Sequence, residues 1–312
     1  MQTRSRSKII AVLSSLITLL LLSTVHFAQD TKATAPATLP LKDRILMASK
    51  MYESVQMYFS HWKAVPDLGL DAIYKHFIDR IAASDDRREF DFAAMEFIAA
   101  LKNGHTTYND PWLDRSDPKP VGFEARKMPD GKFIVNLSAN SDIRAGDELQ
   151  AIDGKPFSQF FKENEKYVTG SSEAARLHGF FYRPYLFPKR FELTVSGRKL
   201  TVDRYTQKLT WPAFVDETQG KLLDGGIALL NIPSFGDAKY EQKAVDFIRA
   251  NASAKAFIID VRGNGGGSTP AKLIAALMDR PYYDWVEASS ANVGSFGAYS
   301  QLASLVPPES RD

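Results

Sequence analysis

Two short stretches hold residue types that could do chemistry: the glycine turn Gly263-Asn264-Gly265-Gly266-Gly267 and the histidine His105. The turn follows an apolar run, Ala256–Val261, and precedes a segment with helical spacing from Thr269. Backbone N–H groups in such a turn point outward and can hold an anion. The anion could be a nucleotide phosphate, a dinucleotide, or the oxyanion of a tetrahedral intermediate. A phosphate-binding P-loop ends in Gly-Lys-Ser/Thr, and here Gly267-Ser268-Thr269 has no lysine. A dinucleotide fingerprint needs a third glycine where Ser268 stands. A turn needed only for chain direction is the plain alternative. Three consecutive glycines argue against it, because each carries an entropy cost and one suffices to turn the chain.

The chain has 5 histidines. His26 lies at the end of an apolar N-terminal segment, His61 and His76 fall on helical patterns, and His178 in Arg176-Leu-His-Gly179 shows no partner pattern. His105 follows Asn103-Gly104, the residue types that suit the left-handed turn after a helix. That explains Asn103-Gly104 and leaves His105 without a structural reason. An imidazole near neutral pH can take a proton and return it. With 0 cysteines there is no disulfide framework, Cys nucleophile or Cys-held metal. Asp85-Asp86 and Asp114/Asp117 read as cap and loop residues and there is no His-x-x-x-His pair, so neither metal nor cofactor is expected. The 39 basic and 37 acidic residues leave +2, which gives no charge argument for nucleic acid.

The elements that must position these groups follow from hydrophobic period. Ile45, Ala48, Met51, Tyr52, Val55, Phe59 and Trp62 predict one helix, ended by Pro66. Ile73, Phe77 and Ile81 predict a second. Ser84-Asp85-Asp86 offers an N-cap to a third, carrying Phe90, Ala94, Phe97 and Leu101. From Val121 to Tyr205 short strands are predicted at 132–137, 148–152, 191–195 and 199–202, with turns at Asp153-Gly154 and Ser196-Gly197 and a helix over 157–167. From Gly226 the order is strand 227–232, helix 240–251, strand 256–261 and helix 269–278 with Pro270 at its first position. That order argues for a sheet with crossover helices.

Several of these segments resemble one family. Phe257-Ile-Ile-Asp-Val-Arg-Gly-Asn-Gly-Gly-Gly267 resembles the "iiDlRgNgGG" motif of the tail-specific, or C-terminal-processing, serine peptidases. Gly226–Phe235 is similar to their "gigYirIpsF" segment. Leu101-Lys-Asn-Gly-His-Thr106 is similar to their "LxDGHT" motif, with Asn103 in place of the acid. Ile143–Gly154 resembles the "pGDeIlaIdG" signature of a PDZ domain, which captures an extended peptide at a sheet edge. The resemblance implies His105 as general base of the tricorn-like branch, Gly265 and Gly266 as the oxyanion hole, and Gly146, Asp147, Glu148 and Leu149 as the peptide-binding segment. Other branches use a Ser–Lys pair, so His105 favours Ser–His chemistry.

The expected fold class is α+β multidomain: a helical domain at 41–117, a PDZ-like β domain at 121–206, and from 207 to 312 an α/β peptidase core of the ClpP/crotonase type, left incomplete. In the family the nucleophilic serine heads a later helix. None of Ser289, Ser290, Ser295, Ser300, Ser304 or Ser310 stands in such a setting, so the expectation is a chain truncated before its serine. Arg4, Arg6 and Lys8 precede the apolar run Ile9–Ser23, which reads as an export signal or anchor over 1–28 with a linker at 29–40. The expected partner is a peptide or unfolded protein, with membrane contact only through the N-terminal segment. A peptide- or ligand-binding protein of the same fold that cuts nothing, and an inactive truncated product, are the rival expectations.

Overall fold

The computed structural model describes residues 36–212 and 216–282. The expected N-terminal signal, most of the expected linker and the serines expected to lack a catalytic setting, in 283–312, lie outside the described residues.

The helical part holds α1 (Leu41–Tyr58), a 3-10 turn (Trp62–Ala64), α2 (Leu70–Ala83), α3 (Arg87–Ala99) and α4 (Pro111–Ser116). Helix α3 begins where expected, because the Asp86 carboxylate accepts the Arg88 N–H at 2.8 Å. Val55, Phe59, Phe77, Ile81, Phe90, Ala94, Phe97 and Leu101 form its core. Helix α1 ends at Tyr58 rather than continuing to Trp62. Phe59 leaves the helix in an extended conformation, and its ring packs edge-on against Trp62. Arg44 is buried and its guanidinium donates to the carbonyls of Ile81 and Ser84, covering the C-terminal end of α2.

The β-rich part holds β1 (Phe123–Lys127), β2 (Phe133–Ser138), β3 (Leu149–Ile152), β4 (Lys155–Pro156), α5 (Phe157–Asn164), α6 (Glu173–Phe181), β5 (Arg190–Val195) and β6 (Arg198–Asp203). β1 and β2 pair antiparallel by themselves, and the other strands form a sheet in the order β4-β3-β5-β6. Both predicted hairpin turns place two successive residues at positive φ, Asp153 and Gly154 at 49° and 74°, Ser196 and Gly197 at 47° and 75°. That geometry matches the twist of the strands it joins. Phenylalanines 157, 161, 180, 181, 187 and 191 fill the core. Met95 of α3 and Leu113 of α4 belong to the same core. The Arg88 guanidinium also donates to the Tyr185 carbonyl at 2.8 Å. The helical and β-rich parts, each with its own core, therefore touch through α3 and α4. Arg204 stitches them further: its guanidinium meets Asp117 at 2.7 Å and the carbonyls of Lys119, Phe187 and Pro188.

The α/β part holds β7 (Gln219–Leu223), β8 (Ile227–Asn231), α7 (Ala238–Ala250), β9 (Ala256–Asp260) and α8 (Ala271–Leu277). β8 and β9 are parallel, joined through α7, and β7 adds an antiparallel strand that periodicity did not reveal. Helix α7 packs close on β7: a β-carbon at Gly220 would lie 2.3 Å from the Phe247 ring. Leu230, Ile232, Val245, Ile248 and Leu273 form the core. Pro270 occupies the cap position of α8, one residue earlier than expected. Among the described residues the outer edge of β9 is unpaired, and Ile258 and Val261 are 47% exposed. Every hydrogen bond and ion pair that residues 216–282 make among the described residues stays within that segment.

Candidate active site

The glycine turn leaves β9 at Asp260. Arg262 folds back on the Asp260 carboxylate through two bonds of 2.9 and 2.7 Å, and this guanidinium holds that carboxyl down to about 2. Asn264 donates to the Ile232 carbonyl at 3.0 Å and accepts the Gly266 N–H at 2.7 Å. The Gly265 N–H reaches the Pro233 carbonyl at 3.3 Å. Phe235 N–H donates to Gly266, and Ser268 N–H donates to Phe235, which pins the turn against the segment after β8. Gly267 has φ +134°, and a β-carbon there would lie 2.1 Å from the Phe235 carbonyl carbon, so only glycine fits. At Gly265 a β-carbon would meet open space.

The two amides expected to form the oxyanion hole, Gly265 and Gly266, are thus engaged inside the chain. The N–H groups of Gly263 and Gly267 have no acceptor among the described residues. Gly267 combines a free amide with a backbone that no other residue could adopt.

His105 sits on the loop that ends α3. The left-handed residue there is Lys102, at φ 50°, rather than Asn103 or Gly104. Asn103 acts through its side chain instead. Its carbonyl oxygen accepts from the N–H groups of His105 (2.8 Å) and Thr106 (3.0 Å) and from the Thr106 hydroxyl (3.2 Å). An aspartate carboxylate could accept the same three bonds. His105 is exposed, and no described contact brings its imidazole to Gly265, Gly266 or Gly267.

Beneath the loop lies a pair that sequence reasoning missed. Asp91 of α3 is fully buried and accepts the Tyr108 hydroxyl at 2.6 Å. Its second oxygen has no partner. Burial pushes the Asp91 carboxyl up to about 7 and the Tyr108 hydroxyl well above its ordinary range. Two residues on, Arg87 clasps Asp110 through bonds of 2.9 and 2.7 Å. Beside the loop a cleft of 390 Å³ opens between Met51, Val55, Tyr58 and Ile98 on one side and Thr106–Tyr108 on the other. The helical stripe hid Asp91, because one polar residue on an apolar face carries no partner information.

Gly146, Asp147, Glu148 and Leu149 build the β-rich part rather than line an open edge. Gly146, at φ +96°, donates to Val135, and the Asp147 carboxylate accepts from the Arg144 N–H and Arg198, which holds it below its ordinary range. Glu148 pairs with Ser196 through backbone and hydroxyl. Leu149 is 2% exposed, and β3 lies between β4 and β5. Among the described residues β1, like β4 and β6, has one unpaired edge; it pairs only with β2 and has α6 alongside. Two polar contacts bridge β1 and α6: His178 to Glu124 at 3.0 Å, and Lys127 to Glu173 at 2.8 Å. His178 thus has a partner that its sequence neighbours gave no sign of, and the Glu124 hydrogen bond raises its pKa.

Residues 226–290 match the model of Peptidase family S41. Among solved structures, mature CPAF complexed with lactacystin is similar at 15% identity and a TM-score of 0.55, over 73% of this chain and 57% of that one. Mature CPAF alone gives 14% and 0.50 over 73% and 56%. A CPAF serine-to-alanine mutant gives 14% and 0.51 over 73% and 57%. The chain therefore spans a little over half the length of these proteins, and at such identity the likeness is one of fold: a mixed helix-and-sheet fold like that of CPAF. No curated protein matches the sequence.

Proposed function

Residues 226–290 carry the signature of peptidase family S41, the tail-specific family that the motifs resemble, and from that premise we propose that this chain is part of an exported serine-type peptidase that cuts peptides or protein tails by acyl transfer. The nucleophile is a serine outside the described residues. His105 takes its proton during attack on the scissile carbonyl and returns it to the leaving amine. The tetrahedral oxyanion is held by the glycine turn, with the Gly267 N–H as donor and Gly265-Gly266 as the frame that fixes it. The substrate enters as a strand along the free edge of β1, in the PDZ-like part, and displaces the Glu124–His178 bridge. The cleft beside Thr106–Tyr108 receives one of its apolar side chains. Arg4, Arg6, Lys8 and the run Ile9–Ser23 direct export.

The observation that carries this reading is Gly267: a free amide in a conformation only glycine adopts, at the motif where the family match falls. The test is hydrolysis of a quenched fluorescent peptide by the chain and by the longest product of its gene. Turnover that falls by about four orders of magnitude in His105→Ala supports it. Turnover indifferent to His105 overturns the role of the base. Cell fractionation and the N-terminus of the exported protein test the signal.

A second reading is a protein of the same fold that binds peptides without cutting them. It is favoured by the internal engagement of the Gly265 and Gly266 amides. Peptide binding equal in wild type and His105→Ala, with no turnover by either, would establish it.

A further inference from the structure

We infer that Asp91, acting through the Tyr108 hydroxyl, is a positioning residue for the His105 loop, and that gain or loss of its proton tightens or releases that loop. The inference rests on the proposed function only for what His105 does; the coupling itself is a property of the fold.

The geometry is specific. Asp91 is wholly enclosed, with one oxygen on the Tyr108 hydroxyl and the other without any donor. A buried carboxylate needs donors on both oxygens, and an unpartnered charged oxygen carries a large desolvation penalty. The protonated acid is therefore the state the closed structure favours. Tyr108 lies three residues after His105, and the stretch between them also walls the 390 Å³ cleft. The stretch is fastened at its start by Asn103 and at its end by the Arg87–Asp110 pair. Asp91–Tyr108 is the fastening between these that titrates.

The groups facing Asp91 are Tyr108 and Asp110 from the loop, Arg87 from its own helix, and Tyr185 from the β-rich part. Asp110 opposes ionisation of Asp91, and the Tyr108 hydrogen bond and Arg87 favour it. Burial outweighs these and lifts the carboxyl from 3.8 to about 7. When the loop opens, Asp91 regains an ordinary carboxylate pKa. The closed form then binds the proton more tightly than the open one. Closure is fully supported below about pH 4 and weakens as pH rises, by about tenfold per pH unit until the closed-state value near 7, where the effect levels off.

Hydrogen exchange of the full chain, followed by mass spectrometry from pH 4.5 to 8 and corrected for intrinsic rates, reads this directly. Protection of residues 103–110 is expected to fall about tenfold per pH unit up to about 7 and then flatten, while the β5–β6 hairpin holds its protection. Asp91→Asn is expected to abolish the slope. Tyr108→Phe, which leaves the helix core intact, is expected to lower protection of 103–110 at every pH and to keep the slope, because the hydrogen bond it removes favours the ionised carboxyl while burial remains. A flat wild-type profile, a slope retained in Asp91→Asn, protection unchanged in Tyr108→Phe, or a slope shared by the hairpin overturns the inference. Because no turnover enters the measurement, a chain that proves not to be a peptidase leaves the outcome readable. If Asp91→Asn does not fold, the wild-type profile and Tyr108→Phe still decide.

Discussion

A β-carbon on Gly267 would lie 2.1 Å from the carbonyl carbon of Phe235. This approach locks the glycine turn against the segment that follows β8, and it is what presents the Gly267 amide. Gly267→Ala is expected to cost about 2 kcal/mol or more, from backbone strain at φ +134° and from displacement of Phe235. Gly265→Ala, with open space at its β-carbon, is expected to stay within about 0.5 kcal/mol. Denaturant unfolding of both variants checks the contrast, and equal losses would remove the argument for Gly267.

The Asn103 side chain organises the loop that carries His105. Asn103→Ala is expected to cost about 1 kcal/mol by removing an acceptor shared by two backbone amides. Asn103→Asp, with the same acceptor geometry, is expected to retain stability. Thermal melts of the two variants decide it.

Arg204 is 2% exposed and all its contacts are internal: the Asp117 carboxylate and three backbone carbonyls. Asp117→Ala leaves that guanidinium charged and unpaired, with an expected loss of about 3–5 kcal/mol. Arg204→Met leaves the carboxylate with only the Tyr205 hydroxyl and is expected to be similarly severe. Chemical denaturation gives both values, and a loss below about 1 kcal/mol, the range of exposed pairs, would contradict the structural role.

The Glu124–His178 bridge sets a pH dependence on the β1–α6 contact. The Glu124 hydrogen bond raises the His178 pKa. Its stabilisation is therefore fully present below the ordinary histidine value of about 6.5 and is lost as pH rises through the raised one. The ring is exposed, so the effect is small, under about 1 kcal/mol. An NMR titration of His178 in wild type and Glu124→Gln is expected to show a downward shift in the variant. Binding of an extended peptide at the β1 edge is expected to strengthen above that pH, because the bridge it must displace has weakened.

Much of this architecture was legible in the sequence, and the gaps have physical causes. The Asp86 cap, the two positive-φ hairpin turns and the strand–helix–strand order around the glycine turn are local, and local chemistry specifies them. Strand β7 carries a glycine and exposed side chains, so alternation was too weak to show it; it forms because β8 offers an edge and Gly220 admits the Phe247 ring. Gly265 gives no sign of its acceptor, the Pro233 carbonyl that follows β8, whereas the Asn264 side chain that takes the Gly266 N–H is local. Residue type points to Asn103 or Gly104 for the left-handed turn; Lys102 takes that conformation, and the Asn103 side chain instead accepts from the amides ahead of it. The burial of Asp91, the partner of His178 and the packing of Met95 and Leu113 into the β-rich core all depend on contacts distant in sequence.

The account turns on whether the His105 loop and the glycine turn face each other across one cleft. The chain has 0 cysteines, so a cysteine pair can be introduced without background. Gly104 and Gly265 both have room for a side chain and neither has a positive φ. In the full chain carrying Gly104→Cys and Gly265→Cys, a short bifunctional maleimide is expected to join the two positions within one molecule, in high yield and only in the folded state. Two thiols that each react with a single-headed maleimide yet never become joined would contradict it.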